Sequence, residues 1–266
     1  MTAMKIATWN INSVRLRVDL VQRFLRAHDP DILCLQETKV PDPKFPTKIF
    51  HDLGYEHIAM NGQKGYHGVA TVSRIPFDAT HKESFCGKKD ARHVSVTVGD
   101  GIEIHNFYVP SGGDVPDREE NEKFEHKLSF LTEMADWLGA RNETDRVMVL
   151  GDLNVAPGEN DVWSHKQMLG VVSHTPIEVE HLDRVQSSRA FLDITRTTWP
   201  EPEKVYTWWS YRARDWAASN RGRRLDHIWV TPALEARAGA VEIIRDARGW
   251  ERPSDHVPVM MTIGAA

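Results

Sequence analysis

Two cysteines in 266 residues exclude a disulfide framework. Cys34, set in the apolar run DILCLQ, and Cys86, in a polar stretch, read as two reduced thiols. There is no CxxC and no paired Cys/His spacing, which excludes the common zinc modules. Nowhere do about 18 apolar residues follow one another, so no membrane span is expected. The opening MTAMKIATWN holds no apolar segment behind a basic region, and a cytoplasmic protein is the expectation. Low-complexity tracts, repeats and linkers are also missing, so residues 1–266 are expected to form a single domain. Nor is there an excess of positive charge: 33 Lys and Arg stand against 38 Asp and Glu, a net of −5. That sum says little about where the charges lie, and carboxylates that gather a cation create, once metallated, a site that attracts phosphate.

What is present is an ordinary globular composition, 41% hydrophobic and 27% charged, arranged as short apolar strands that run into polar turns. Lys5 to Asn10 is such a strand, ending in Asn10 and Asn12. Ser13 to His28, with Leu16, Leu20 and Phe24 at i+4 spacing, predicts an amphipathic helix stopped at Asp29-Pro30. Asp31 to Thr38 is an apolar run too short for a helix and delivers Gln36 and Glu37. Prolines 41, 43 and 46 make a loop or broken helix start. Strands follow at 57–59 and 68–73, then a hairpin, Arg92 to Val98 and Ile102 to Val109, around Gly99-Asp100-Gly101, which ends in Tyr108. Phe124, Leu128, Leu131, Ala135 and Leu138 mark a helix within 119–138. It leads to RVMVLGDLNV, whose strand ends in Asp152 and Asn154, two residues apart and able to face one side. Thr175-Pro176-Ile177-Glu178 opens another helix. Strands at 206–211 and 225–230 bracket a loop; 241–244 and 257–263 close the chain. Strands outnumber clear helices and both hairpins and crossovers occur, so mixed sheets covered by helices are expected.

Together the strand ends supply Asn10, Asn12, Glu37, Tyr108, Asp152, Asn154, Asp226, Asp255 and His256. Oxygen donors without cysteine suit a hard cation, Mg²⁺ or Mn²⁺, which keeps waters and shares its sphere with substrate phosphate. Hydrolysis of a phosphate ester needs a positioned water, a base near its proton and positive charge on the phosphate oxygens, and this inventory staffs all three. His256 is the natural partner for Asp226; a carboxylate on an imidazole fixes its tautomer and favours its charged form. The loop 212–224 combines Arg212, Arg214, Arg221, Arg223 and Arg224 against Asp215, a net of +4, with Trp216 inside it and Trp208 and Trp209 beside it. Arginine interleaved with aromatics is a nucleic-acid footprint. Lys88, Lys89 and Arg92 form a second candidate phosphate patch.

The motifs TWNINSVR (8–15), LQETK (35–39), NFYVPSGG (106–113), GDLNVAP (151–157), YTWWSYR (206–212), NRGRRLDHI (220–228) and SDHVPV (254–259) occur in the order that resembles the exonuclease III group of AP endonucleases, within the DNase I-like endonuclease/exonuclease/phosphatase superfamily. The resemblance implies a four-layer α/β sandwich, two mixed sheets face to face with helices outside. It implies that Glu37 is the principal metal ligand, with Asn10 close to the metal and Asp255 bonded near it. Asp152 would activate the attacking water with help from Asn154. His256, oriented by Asp226, would contact the scissile phosphate, and Tyr108 would sit by it or by the leaving oxygen. Trp208 or Trp209 would help form a pocket for a base-free deoxyribose, with Arg212 and Trp216 facing DNA. The implied substrate is duplex DNA with abasic sites or 3′ ends, acted on by a monomer that needs no protein partner. The chain departs from the pattern at Asn12, where some members carry Asp, at Arg223, which replaces a common apolar residue, and at Ser111 to Asp114. Two other classes stay open beside this one: a phosphoesterase for inositol phosphates or sphingomyelin, which should lack the Arg/Trp loop, and a non-catalytic DNA binder, which should have broken catalytic positions.

Overall fold

Along the first strand, Met4 and Ile6 are buried on one side and Ala7 and Trp9 on the other, so this strand has helices or loops on one face and a second sheet on the other. The same holds across the computed structural model, which describes residues 3–142 and 144–265. Its strands are β1 (Met4–Asn10), β2 (Ile32–Gln36), β3 (His57–Asn61), β4 (Val69–Ser73), β5 (Phe77–His81), β6 (His93–Val98), β7 (Ile102–Tyr108), β8 (Val147–Asp152), β9 (Leu192–Asp193), β10 (Trp208–Trp209), β11 (Gly222–Arg223), β12 (Asp226–Val230), β13 (Glu242–Ile243) and β14 (Val259–Ile263). One six-stranded sheet has the order β13-β14-β1-β2-β4-β3 and the other β5-β6-β7-β8-β12-β9. Each is antiparallel except for one parallel pair, β1 with β2 and β7 with β8, so both are mixed.

The inner layer between the sheets is apolar: Ile6, Ile32, Cys34, Val259 and Met261 from one, Val94, Val96, Ile104, Met148, Leu150 and Ile228 from the other. Helix α1 (Val18–His28) covers the outer face of the first sheet with Val21, Phe24 and Leu25. After the short α2 (Thr47–His51), α3 (Glu122–Ala140) covers the second with Phe130, Leu131, Met134 and Leu138. Short α4 (His165–Met168) precedes α5 (Pro176–Ser187), which adds Leu182 and Val185 to that layer. These are the four layers expected. The remaining helices, α6 (Ile194–Thr198) and α7 (Trp216–Ser219), are single turns.

Two sequence expectations shift, and one strand was not expected at all. The first helix starts at Val18, not Ser13, and Leu16 is 61% exposed instead of lying on the apolar stripe. Asn12 and Ser13 are in the left-handed region, and the Ser13 and Val14 amides donate to the Glu37 and Thr38 carbonyls, so this segment is spent on the site before the helix begins. The strand expected over 206–211 is paired only at Trp208–Trp209, because its remaining backbone bonds go to the 255–257 segment as well as to β11. The polar edge strand β5 has four exposed residues out of five and gave no apolar signal.

Candidate active site

On each inner face the apolar series turns polar at one end. Met4 and Ile6 are followed at the same parity by Thr8 and Asn10; Ile32 and Cys34 by Gln36; Ile102 and Ile104 by Asn106 and Tyr108; Met148 and Leu150 by Asp152. On antiparallel β12, Asp226 precedes Ile228 and Val230, and it lies opposite Asp152. The first polar layer is an amide network in which only the Gln36 Oε1 atom lacks a partner among the described residues. Gln36 Nε2 donates to Thr8 Oγ1 at 2.9 Å and to Asn106 Oδ1 at 2.8 Å, and Asn106 Nδ2 donates to the Leu35 and Ala70 carbonyls. It joins the two sheets beneath the site, and sequence reasoning passed over Asn106, although it opens the NFYVPSGG stretch, because an amide inside a strand does not show which sheet it reaches.

Above that layer the predicted residues converge. Asn10 Nδ2 donates to Glu37 Oε1 at 2.9 Å and to Asp152 Oδ2 at 2.8 Å. The Tyr108 hydroxyl donates to Glu37 Oε1 at 3.0 Å. Asn154 donates its backbone N–H to Asp152 Oδ1 at 3.0 Å and its side-chain amide to Oδ2 at 3.2 Å. His256 Nδ1 is 2.8 Å from Asp226 Oδ2, and its Nε2 is 3.6 Å from Asp152 Oδ2. Asp255 accepts from Asn12 Nδ2 at 3.1 Å and from Trp208 Nε1 at 2.9 Å. Glu37 and Asn154 hold positive φ of 51° and 55°, a conformation unusual for Glu and tolerated by Asn. Two glycines permit this crowding. A Cβ on Gly151 (φ +128°) would stand 2.1 Å from the Phe107 carbonyl oxygen, and one on Gly68 (φ +89°) 2.2 Å from Thr38 Oγ1, just past Glu37.

Burial is the largest influence on Asp152 and pushes its carboxyl up; the charge of His256 opposes this and that of Asp226 adds to it, leaving Asp152 at about 7. Burial alone would push His256 down, but the charges of Asp226 and then Asp152 outweigh it and lift the imidazole to about 10. Near neutral pH the pair is therefore an imidazolium facing a carboxylate on the verge of ionising. Burial and then the negative charges of Glu37 and Asp152 hold the Tyr108 phenol well above its ordinary range, so it acts as a donor. Burial would raise Glu37, but the Lys39 ammonium 2.7 Å away outweighs it and keeps the carboxylate ionised. Asp255 is likewise lowered: burial opposes ionisation, and His256 with the bonds from Asn12 and Trp208 favours it.

Ligand atoms of Asp152, Asp226 and His256 lie within 4.8 Å of one another, but an imidazolium does not ligate a metal, since coordination needs the neutral ring. The oxygens with the chemistry to hold a cation are the neighbouring set: Glu37, the Asn10 and Asn12 amides, and Asp255. Lys39 Nζ already lies between Glu37 Oε2 and Asn12 Oδ1, at 2.7 and 2.5 Å. Oxygens that converge on a positive head in this way fit a hard divalent ion.

The proposed DNA contacts divide. Trp208 is half-buried at the rim beside Asp255, whereas Trp209 is core, 2% exposed. Arg212 and Arg221 are exposed and Trp216 is half-buried, with Arg245 and Arg248 over its ring. Arg223 stacks on Trp208. Lys88 and Lys89 are exposed, but Arg92 is buried, paired with Asp90 at 2.8 Å and donating to the Tyr108 carbonyl. It props Tyr108 from beneath and is unavailable to a phosphate patch. Arg224, counted in the basic loop, is also buried, in a bidentate pair with Asp161.

A buried carboxyl poised near neutrality, an imidazolium opposite it and a cluster of oxygens fit for a hard cation, all at the strand ends of a four-layer sandwich, are the makings of a metal-dependent hydrolase of phosphate esters. The chain matches the Endonuclease/Exonuclease/phosphatase family over residues 7–256 and belongs to it. It is 30% identical to exodeoxyribonuclease III of Haemophilus influenzae over 96% of this chain and 98% of that one. The structure of an AP endonuclease from Archaeoglobus fulgidus superposes with a TM-score of 0.90 at 32% identity, covering 98% of this chain and all of the other. A 3′ phosphatase from Neisseria bound to product DNA hairpin superposes at 0.87 with 32% identity and the same coverage. Within that family, which depends generally on a divalent metal, the chain is a DNA-repair phosphodiesterase.

Proposed function

We propose that this chain is a Mg²⁺-dependent enzyme, with Mn²⁺ able to substitute, that incises duplex DNA at abasic sites, removes nucleotides from 3′ ends and clears 3′-phosphates. Water attacks the scissile phosphorus in line, the bond from phosphorus to the 3′ oxygen breaks, and that oxygen leaves with a proton. Asp152 takes the proton from the attacking water, held in place by the two bonds from Asn154. His256, kept protonated and aimed by Asp226, stabilises the charge that develops on the phosphate. Tyr108 donates its hydroxyl toward the phosphate or the leaving oxygen. Glu37, Asn10 and Asp255 would hold the metal, which would supply Lewis-acid charge at the phosphate. Trp208, Arg212, Trp216, Arg221 and Arg223 on one rim and Lys88 and Lys89 on another carry the DNA. The observation that supports this most is the convergence of Asp152, Asn154, Asp226 and His256 at the strand ends, with His256 Nε2 3.6 Å from Asp152 Oδ2. We further read residues 1–266 as one domain working as a cytoplasmic monomer. Its two cysteines are free, as a reducing compartment requires, and no helix among the described residues is long and apolar enough to cross a membrane.

The test is incubation with Mg²⁺ and end-labelled duplexes bearing an internal abasic analogue, a recessed 3′-hydroxyl or a 3′-phosphate. Cleavage is expected on each, with Asp152→Asn lowering kcat by about 10²–10⁴-fold. Turnover undiminished in that variant would remove Asp152 from the role of base; no cleavage of any duplex would remove DNA as the substrate.

A further inference from the structure

Arg223 stands opposite Trp208 in the two-stranded β10–β11 pair. Trp208 is fixed to the site on two counts, since its indole donates to Asp255 Oδ2 at 2.9 Å and its backbone bridges His256. The Arg223 guanidinium lies 4.9 Å from the Trp208 ring centre. Its Nη1 donates to the Val172 carbonyl at 3.0 Å and to Ser173 Oγ at 2.8 Å. The Ser173 amide is held by Glu178, which pairs with Lys127, whose ammonium donates to the Asn154 carbonyl. The guanidinium is thus wedged between the wall that carries Asp255 and His256 and the wall that carries Asn154. Both of its hydrogen bonds to protein leave from Nη1, so Nε and Nη2 keep their hydrogens for a ligand. Apolar neighbours line the ground beside it, where Leu225, Val162 and Met168 pack against Trp208.

A group attached to a phosphate seated against His256 would, on the Trp208 side, lie toward this cation, since Trp208 links Asp255 and His256 to the Arg223 guanidinium. A neutral sugar gains little from a guanidinium and must displace its hydration. An oxyanion gains charge-assisted hydrogen bonds in a fixed planar geometry, with the stacked ring holding the donor still. We propose that Arg223 makes this subsite selective for a terminal oxyanion, so that 3′ ends blocked by a phosphate or by a carboxylate-bearing remnant are preferred over a base-free sugar within a continuous strand. The bond broken is the same in each case, phosphorus to 3′ oxygen, with water as nucleophile; only the group beyond the phosphorus differs.

This rests on the reading of the chain as a DNA phosphodiesterase, and the experiment separates the two. With Mg²⁺, kcat/KM is measured for the unaltered enzyme, Arg223→Leu and Arg223→Lys on three duplexes, ending in 3′-phosphate, ending in 3′-phosphoglycolate, or carrying an internal tetrahydrofuran abasic analogue. The ratio of each blocked end to the internal abasic site is expected to fall about 10-fold or more in Arg223→Leu, the scale of a lost hydrogen bond to a charged group, and to recover in part in Arg223→Lys. A fall confined to the phosphate arm assigns the oxyanion to the phosphate itself, and a fall confined to the phosphoglycolate arm assigns it to the carboxylate; either supports the proposal. Ratios that stay constant while all three rates drop together would overturn it, leaving Arg223 as a prop for Trp208 and the 172–173 turn. An unaltered enzyme inert on all three duplexes would overturn the phosphodiesterase reading with it.

Discussion

Asp226 spends one carboxylate oxygen on His256 Nδ1, while its other oxygen, Oδ1, is buried without a hydrogen-bond partner. The one partner that Asp226 Oδ2 has among the described side chains is the imidazole whose charge it favours. The pair therefore fixes both the tautomer and the working pH. With His256 at about 10, activity that needs the imidazolium should persist through neutrality and decline above about pH 10, while the acid limb follows deprotonation of Asp152. Asp226→Asn removes the charge that outweighs burial, so the His256 pKa falls and the alkaline limb should move down by more than one unit toward the ordinary histidine range. A pH–rate profile on an abasic duplex measures this. An alkaline limb that stays put in the variant would mean that His256 is not the group titrating there. The neighbouring cation cluster obeys the same arithmetic with the sign reversed: Glu37 and Asp255 stay ionised because Lys39 and His256 stand beside them.

At the scale of elements, the site exists because strands at matched register end together. Asn10 pairs with Gln36, Tyr108 with Asp152 and Asp152 with Asp226, so a polar residue at the end of each strand lands in one row. This much was legible: each strand end showed an apolar run followed by acids or amides, and the motif order supplied the rest. Residues whose partners lie far away in sequence were not legible, even inside a recognised motif, because the motif does not say what a side chain reaches. Asn106 reaches β2 and β4, Arg224 reaches Asp161, Asp193 and His227, and none of these spacings repeats. Arg92 and Trp209 were misplaced for a related reason, since composition marks a residue as basic or aromatic without saying which way its side chain turns. Lys127 is a further example. It sits on α3 at a position facing the apolar layer, fully buried, paired with Glu178 of α5 and donating to the Asn154 carbonyl. The two helices are thereby tied to the turn that follows Asp152. Lys127→Met leaves Glu178 buried without its counter-charge and should cost about 3–5 kcal/mol, read as a lowered urea midpoint. Lys127→Met with Glu178→Gln should recover part of that loss, because the uncompensated charge is gone. A single variant within about 1 kcal/mol of the parent would show that the pair contributes no more than an exposed one.

For the molecule as a whole, the net charge of −5 must coexist with binding to a polyanion. It can do so because the charges are unevenly placed. Glu37, Asp152, Asp226 and Asp255 are gathered in one cleft beside Lys39 and His256, and Asp161 and Glu178 are sealed against Arg224 and Lys127. Meanwhile Arg212, Arg214 and Arg221 stay exposed on the loop that borders Trp208. Local charge then sets the interaction, and its signature is salt dependence. Each phosphate neutralised by an arginine releases condensed counterions, so the logarithm of the binding constant falls against the logarithm of salt with a slope of about −0.9 per contact on duplex DNA. Binding of the Asp152→Asn protein to an abasic duplex, followed by fluorescence anisotropy between about 50 and 200 mM salt, should give a slope of several units in spite of the negative total. Arg212→Ala and Arg221→Ala should each flatten it by about 0.9 where the arginine meets a phosphate, and the double variant by the sum, because separate contacts add. Unchanged slopes in both single variants would move the DNA away from the 212–224 loop and onto another face of the sandwich.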